Sequence, residues 1–154
     1  MDLVILAVGR LRPALREVAD DYLRRLTRYA GIREIEVREA SRAPTVPAQR
    51  EEEASRLASR VPAGSRLVAL AREGQGWSSA ELARRADQWR LAARPVTFVI
   101  GGSHGLGAAL LQRAEWRWSL GPLTLPHELA RVVVLEQLYR AFTILRGEPY
   151  HKGS

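Results

Sequence analysis

Four glycines, Gly101, Gly102, Gly105 and Gly107, fall within seven positions, directly after the apolar run Val96–Ile100. Glycine admits positive φ and lets a ligand come close to the main chain. Ser103 and His104 stand between them, a hydroxyl and an imidazole that could attack or move a proton. A dinucleotide fingerprint needs Gly-x-Gly-x-x-Gly, and here Gly102-x-x-Gly105-x-Gly107 has that spacing reversed. A phosphate-binding loop needs a closing Gly-Lys-Ser/Thr, which is absent. Gly101-Gly102-Ser103-His104-Gly105 does satisfy the Gly-x-Ser-x-Gly nucleophile elbow. On that reading Ser103 attacks, Glu148 orients and His151 is the base. The chain is short for such a hydrolase, and no second glycine run offers an obvious oxyanion partner.

The elements that must position this loop can be read from periodicity. Leu3–Val8, Arg66–Ala71 and Val96–Ile100 are short apolar runs, as expected of strands buried on both faces. Ile32–Val37 alternates apolar with charged residues and reads as a strand near an edge, with one wet face. Trp116–Leu120 reads as a further strand. Pro13 opens a helix whose stripe runs through Leu15, Val18, Ala19, Tyr22, Leu23 and Leu26. Ser41–Gln49 reads as a loop and Arg50–Arg60 as a charged helix. Glu73–Trp77 reads as a second glycine-rich loop, and Ser78 or Ser79 as the cap of the helix after it. A short helix follows from Ala108. The last helix, about Glu128 to Arg146, is apolar nearly all round. One face can cover a sheet, and the others call for a second copy of the chain. Strict alternation of strand and helix predicts an α/β fold, a mostly parallel sheet with helices on both faces. One domain spanning residues 1–154 is expected.

Cysteine is absent, which excludes disulfides, thiol nucleophiles and cysteine zinc sites. The three histidines, His104, His127 and His151, are scattered, so no metal is expected. The net charge is +7, and every basic residue is arginine except Lys152. Guanidinium suits bidentate phosphate contacts, so the balance favours a nucleic-acid partner. No stretch is long enough to cross a bilayer, and the first apolar run is short enough to be a core strand. A cytoplasmic, soluble protein is expected.

A further reading joins three loops. Leu70 with the Gly74–Gly76 loop, Gly102–Gly107 and Gly121–Pro126 each follow an expected strand, and in one sheet their ends converge. They offer main-chain groups, apolar walls and little charge, which suits adenine and ribose. An adenosyl cofactor carrying its own electrophile needs neither a metal nor a protein nucleophile.

Several motifs then carry a resemblance. Ile100-Gly101-Gly102, Leu123-Thr124-Leu125-Pro126-His127, Arg131-Val132, Glu136-Gln137-Leu138-Tyr139-Arg140-Ala141 and Pro149-Tyr150-His151-Lys152 resemble the ribosomal RNA large subunit methyltransferase H family. The likeness runs from Met1 to Lys152. Where some members have Pro-Glu, this chain has Ser103-His104. The resemblance implies a SPOUT-type fold with a C-terminal trefoil knot, a homodimer and S-adenosylmethionine. It implies methylation at N3 of a pseudouridine in large-subunit (23S) rRNA of the assembled ribosome. Carried over by position, Leu70, Gly102, Gly121, Pro122, Leu123, Thr124, Leu125 and Pro126 would hold the cofactor. His151 would move the N3 proton, with Arg140 stabilising the anion, and Tyr139, Tyr150 and Lys152 would meet the RNA.

Overall fold

The computed structural model describes residues 1–151. Five strands, β1 (Asp2–Val8), β2 (Gly31–Val37), β3 (Arg66–Gly76), β4 (Val96–Ile100) and β5 (Trp116–Ser119), alternate with five helices. These are α1 (Pro13–Leu26), α2 (Val46–Ala58), α3 (Ser79–Ala92), α4 (Ala108–Arg113) and α5 (His127–Arg146), and a 3-10 turn at Pro149–His151 follows. The strand order is β2-β1-β4-β3-β5, and every strand pairing is parallel. All strands therefore end at one edge of the sheet.

The apolar runs behave as doubly buried strands do. Leu3, Ile5 and Ala7 of β1 pack into the core under α1, α3 and α5, and Val4, Leu6 and Val8 into the core on the α2 and α4 side. Trp89 anchors the first core, edge-on to Phe98 and tilted against Trp116. Ser78 caps α3 through a reciprocal pair with Glu81, each bond 3.1 Å.

Three expectations need correction. The segment read as a loop through Gln49 already turns helical at Val46, because Thr45 accepts the Ala48 amide and Pro47 fits the first turn. The glycine stretch after Ala71 stays in β3 as far as Gly76, with a register shift against β5 between Leu70 and Gln75. Gly74 permits this irregularity, since a Cβ there would lie 2.5 Å from the Arg117 carbonyl oxygen. β2 is an edge strand as expected, but its carboxylates are not on a wet face. Glu34 and Glu36 meet Arg16 of α1 and the fully buried Arg131 of α5. Arg131 also donates to the main-chain oxygens of Val8 (3.3 Å) and Gly9 (2.9 Å). Two helices are thereby tied to β2, and α5 to the end of β1 as well.

Candidate active site

Because β4, β3 and β5 are neighbours, the three segments expected to form a ligand site share one edge. Leu70 pairs with Trp118 of β5, and Ala69 just before it pairs with Val99 of β4. Gly101 and Gly102 follow directly after β4, and the 121–126 loop follows β5.

The double-glycine loop is closed by its own main chain. The Gly105 amide donates to the Gly102 carbonyl at 3.0 Å, and Arg50 of α2 donates to the His104 carbonyl at 2.6 Å. Gly101 has no room for a side chain: a Cβ would stand 2.5 Å from the Gly105 carbonyl carbon. At Gly102 a Cβ would lie 3.1 Å from Val8 and 3.5 Å from Glu53 Oε1. Glu53 is buried, and its Oε2 accepts from the Ala40 amide and the Gln49 side chain, both at 3.0 Å. Its Oε1 has no hydrogen-bond partner among the described residues.

The 121–126 loop opens with Gly121 at φ +117, its amide donating to Ser119 Oγ at 3.1 Å. Pro122, Thr124 and Pro126 are exposed, Leu125 is half-buried, and Leu123 is 78% exposed. An apolar side chain so open, on a loop whose own main-chain groups lie beside it, suits an adenosyl group better than a charged ligand, and Leu70 of β3 is half-buried. Glycine-lined main chain and apolar surface, with no cationic side chain within the 121–126 loop, are the features such a group requires.

The other expected site residues lie elsewhere. Arg140 donates to Glu136 Oε2 through Nε (3.1 Å) and Nη2 (2.9 Å), and its guanidinium lies 5.1 Å from the Tyr150 ring centre. The Tyr150 hydroxyl bonds to the same Glu136 oxygen at 2.8 Å and to the Tyr22 hydroxyl at 3.1 Å. Burial, then these two partners, hold the Tyr150 phenol well above its ordinary range, so it stays a proton donor. Tyr139 is buried, edge-on to Tyr150 at 4.7 Å and close to Tyr22 and Tyr29. Tyr139 therefore supports Tyr150 from within the core and does not present its ring as a stacking surface. His151 ends the 3-10 turn, and Lys152 lies outside the described residues. Helical spacing alone makes Glu136–Arg140 an ordinary i,i+4 contact and gives no sign of Tyr150 closing on the same carboxylate. Pairing fourteen residues apart leaves no periodic signal.

One chain does not bring these two groups together. α5 leaves the edge that carries the loops, and Arg140 comes fourteen residues after Pro126, about 20 Å along the helix. The terminal turn ends near the opposite edge, where Glu148 accepts from Tyr29, just ahead of β2. The same geometry dismantles the hydrolase reading. Ser103 follows β4 at the carboxyl edge, and Glu148 sits at the amino edge, a strand length away. Among the described residues no group of three or more His, Asp or Glu side chains could hold a metal, and no helix is long and apolar enough to cross a membrane.

Known proteins supply the context. A family model described as predicted SPOUT methyltransferase matches residues 1–151. The ribosomal RNA large subunit methyltransferase H of Rubrobacter xylanophilus is 54% identical over 152 residues, covering 96% of both chains. That of Gemmatimonas aurantiaca is 49% identical over 154 residues, covering 99% of this chain and all of its own. A solved structure described as giving insights into 2-OH methylation of C/U34 on tRNA aligns with a TM-score of 0.53 at 17% identity, over 96% of this chain and 98% of its own, which speaks for the fold alone. With a family model spanning nearly every residue and about half the positions shared end to end with such relatives, this chain belongs to the SPOUT methyltransferases, in the ribosomal RNA large subunit methyltransferase H family.

Proposed function

We propose that this protein transfers the methyl group of S-adenosylmethionine to N3 of a pseudouridine in large-subunit rRNA, within the assembled ribosome and in the cytoplasm. We further propose that it works as a homodimer whose C-terminal part is threaded as a trefoil knot. The convergence of Leu70, within β3 beside the last residues of β4 and β5, with Gly102 and the 121–126 loop, which follow those two strands, carries this reading.

Gly102 and Gly121 give the cofactor access to main-chain donors and acceptors, while Pro122 and Pro126 stiffen the loop. Leu70, Leu123 and Leu125 offer apolar surface to the adenine, and Thr124 a hydroxyl. Bound there, the cofactor supplies an electrophilic methyl carbon on a sulfonium. The imide nitrogen attacks only after losing its proton, which leaves negative charge on N3 and the flanking carbonyls. Arg140, held by Glu136, stabilises that charge, and the Tyr150 hydroxyl keeps its proton and donates a hydrogen bond to the same Glu136 carboxylate, fixing the pair that orients Arg140. His151 takes the N3 proton, because imidazole titrates near neutrality. Lys152 meets RNA phosphate.

The distance of about 20 Å between Pro126 and Arg140 supports a dimer in which one chain's tail reaches the other chain's cofactor loops. Leu129 and Leu145 of α5 and Val18 of α1 are exposed apolar side chains a second copy would cover. The decisive experiment incubates the protein with labelled S-adenosylmethionine and ribosomes lacking the methyl mark, then digests the rRNA to nucleosides for mass spectrometry. Label in an N3-methylated pseudouridine is expected. Label elsewhere, or no calorimetric signal with S-adenosylhomocysteine, overturns the assignment.

A further inference from the structure

Most of the described arginines on helices have carboxylate partners: Arg16, Arg24, Arg25, Arg56, Arg90, Arg131 and Arg140 among them. The loops after β1 and β2 differ. Arg10 and Arg12 follow β1, Arg38 and Arg42 follow β2, and all four are exposed. None of their guanidinium groups has an ion pair or hydrogen bond among the described residues; Arg12 engages through its main chain, its amide donating to Glu128 and its carbonyl accepting from the Leu15 and Arg16 amides.

These loops enclose a cleft of about 660 Å³ lined by Arg10, Arg38, Glu36, Glu39, His127 and Glu128, among others. Its acids are mostly engaged. Glu36 is held by Arg16 and Arg131, and Glu128 by the Arg12 amide. Glu39 has no ion pair among the described residues, so the cleft itself holds one open carboxylate against the two open cations Arg10 and Arg38, with Arg12 and Arg42 on the same two loops outside its lining. A folded protein gains nothing from four uncommitted guanidinium groups crowded on two loops, since they repel one another. A polyanion would offset that repulsion.

Position says which polyanion. β1 lies beside β4, and Val8 sits 3.1 Å from where a Gly102 Cβ would stand, so the Arg10–Arg12 loop flanks the double-glycine loop. His127, on the cleft wall, directly follows the 121–126 loop. Two strand spacings separate β1 from β3 across the sheet edge, about 10 Å. A nucleotide whose base lies over the β4 and β3 ends must lead its chain past these loops. We infer that Arg10, Arg12, Arg38 and Arg42 form a phosphate-binding lip that holds the substrate RNA strand beside the cofactor loops. The lip sets register and on-rate and leaves sequence choice to other groups. It rests on the rRNA reading above and adds the surface through which that substrate docks.

The test compares the full-length protein with an R10Q/R12Q/R38Q/R42Q variant and with R60Q/R113Q, whose exposed arginines lie on segments entering β3 and β5 at the opposite edge. Methyl transfer to ribosomes lacking the mark is measured against ribosome and salt concentration, with filter binding of large-subunit rRNA alongside. The quadruple variant is expected to raise KM for ribosomes at least about tenfold, with kcat within about twofold. The slope of log(kcat/KM) against log salt should shallow by about 2 to 3, at roughly 0.7 for each single-strand phosphate that the variant no longer neutralises. S-adenosylhomocysteine affinity and melting temperature should stay at wild-type values, and R60Q/R113Q should match wild type throughout. An unchanged KM and salt slope in the quadruple variant, or equal losses in R60Q/R113Q, overturns the lip. If wild type transfers no methyl group, the functional reading fails. Filter binding then decides the lip separately: it stands if the quadruple variant alone loses rRNA retention and falls otherwise.

Discussion

Tyr150 and Gly102 are the residues on which the chemistry can be pressed hardest. The Tyr150 hydroxyl joins Glu136 and Tyr22, so Tyr150→Phe removes one hydrogen bond to a charged group and leaves the ring in place. Such a bond is worth about 1.5–3 kcal/mol, so kcat should fall roughly 10- to 100-fold while S-adenosylhomocysteine binds as before. The phenol also predicts a pH response. Its folded pKa is raised, first by burial, then by Tyr22 and Glu136. A raised folded pKa makes the contribution to stability complete below the unfolded value, near 10, and lost as pH climbs beyond it. Tyr29, pushed up to about 12 by burial and Glu148, acts in the same direction. Melting temperature should therefore decline above about pH 10, and less steeply in Tyr150→Phe than in wild type. At the other edge, Gly102→Ala places a methyl 3.1 Å from Val8, tight enough to shift the loop without breaking it. Calorimetry should show S-adenosylhomocysteine binding weakened about tenfold or more, the fold being kept. Gly101→Ala meets main chain at 2.5 Å and should cost stability as well as binding.

Among the elements, α5 depends on its arginine. Arg131 reaches Glu34 and Glu36 of β2 and the carbonyls at the end of β1, so it sets how the helix leaves the 121–126 loop. Removing one partner of a buried pair typically costs about 3–5 kcal/mol, because the remaining charge is stranded. Here Arg16 still touches both carboxylates, which places Arg131→Met near the lower end. Urea unfolding of the variant should show a loss of about 3 kcal/mol, and a loss below about 1 would mean that Arg16 alone suffices. This network also marks where the sequence was hard to read. β1, the first part of β3 and β4 were legible because burial on two faces leaves uninterrupted apolar runs, β2 because it alternates, and the helices because their stripes recur every three or four residues. The carboxylates of β2 alternate with Ile35 and Val37 just as a solvated face would. Arg16 of α1, 18 and 20 residues away, and Arg131 of α5, 95 and 97 residues away, turn them inward, and neither pairing leaves a local pattern. The extension of β3 to Gly76 was hidden for a related reason: its glycines serve strand irregularity, where the same residues elsewhere make a turn.

At the scale of the whole molecule, the candidate cofactor loops and the Arg140–Tyr150 cluster occupy opposite edges of the sheet, so the two groups proposed to act together do not meet within a single chain. The loops after β4 and β5 were legible because each follows a strand and parallel strands end together, whereas the Gly74–Gly76 segment expected as a third such loop is still part of β3. The separation of the loops from the tail was not legible, because it depends on the direction and length of α5 and not on any motif. Subunit mixing tests what this separation demands. Take a Gly102→Ala chain, impaired at the loops, and an Arg140→Gln chain, impaired at the tail, and refold or coexpress them at equal concentration. Random pairing makes half the dimers mixed. If loops and tail meet across the interface, a mixed dimer has one site with both halves intact and one with both altered. Activity should then return to about a quarter of wild type, from half the dimers with half their sites restored. If each site is built within one chain, every site in the mixture keeps one lesion, and activity stays at the average of the two parents. A mixture no more active than that average, from chains shown by sedimentation to have exchanged, would remove the dimer from the mechanism.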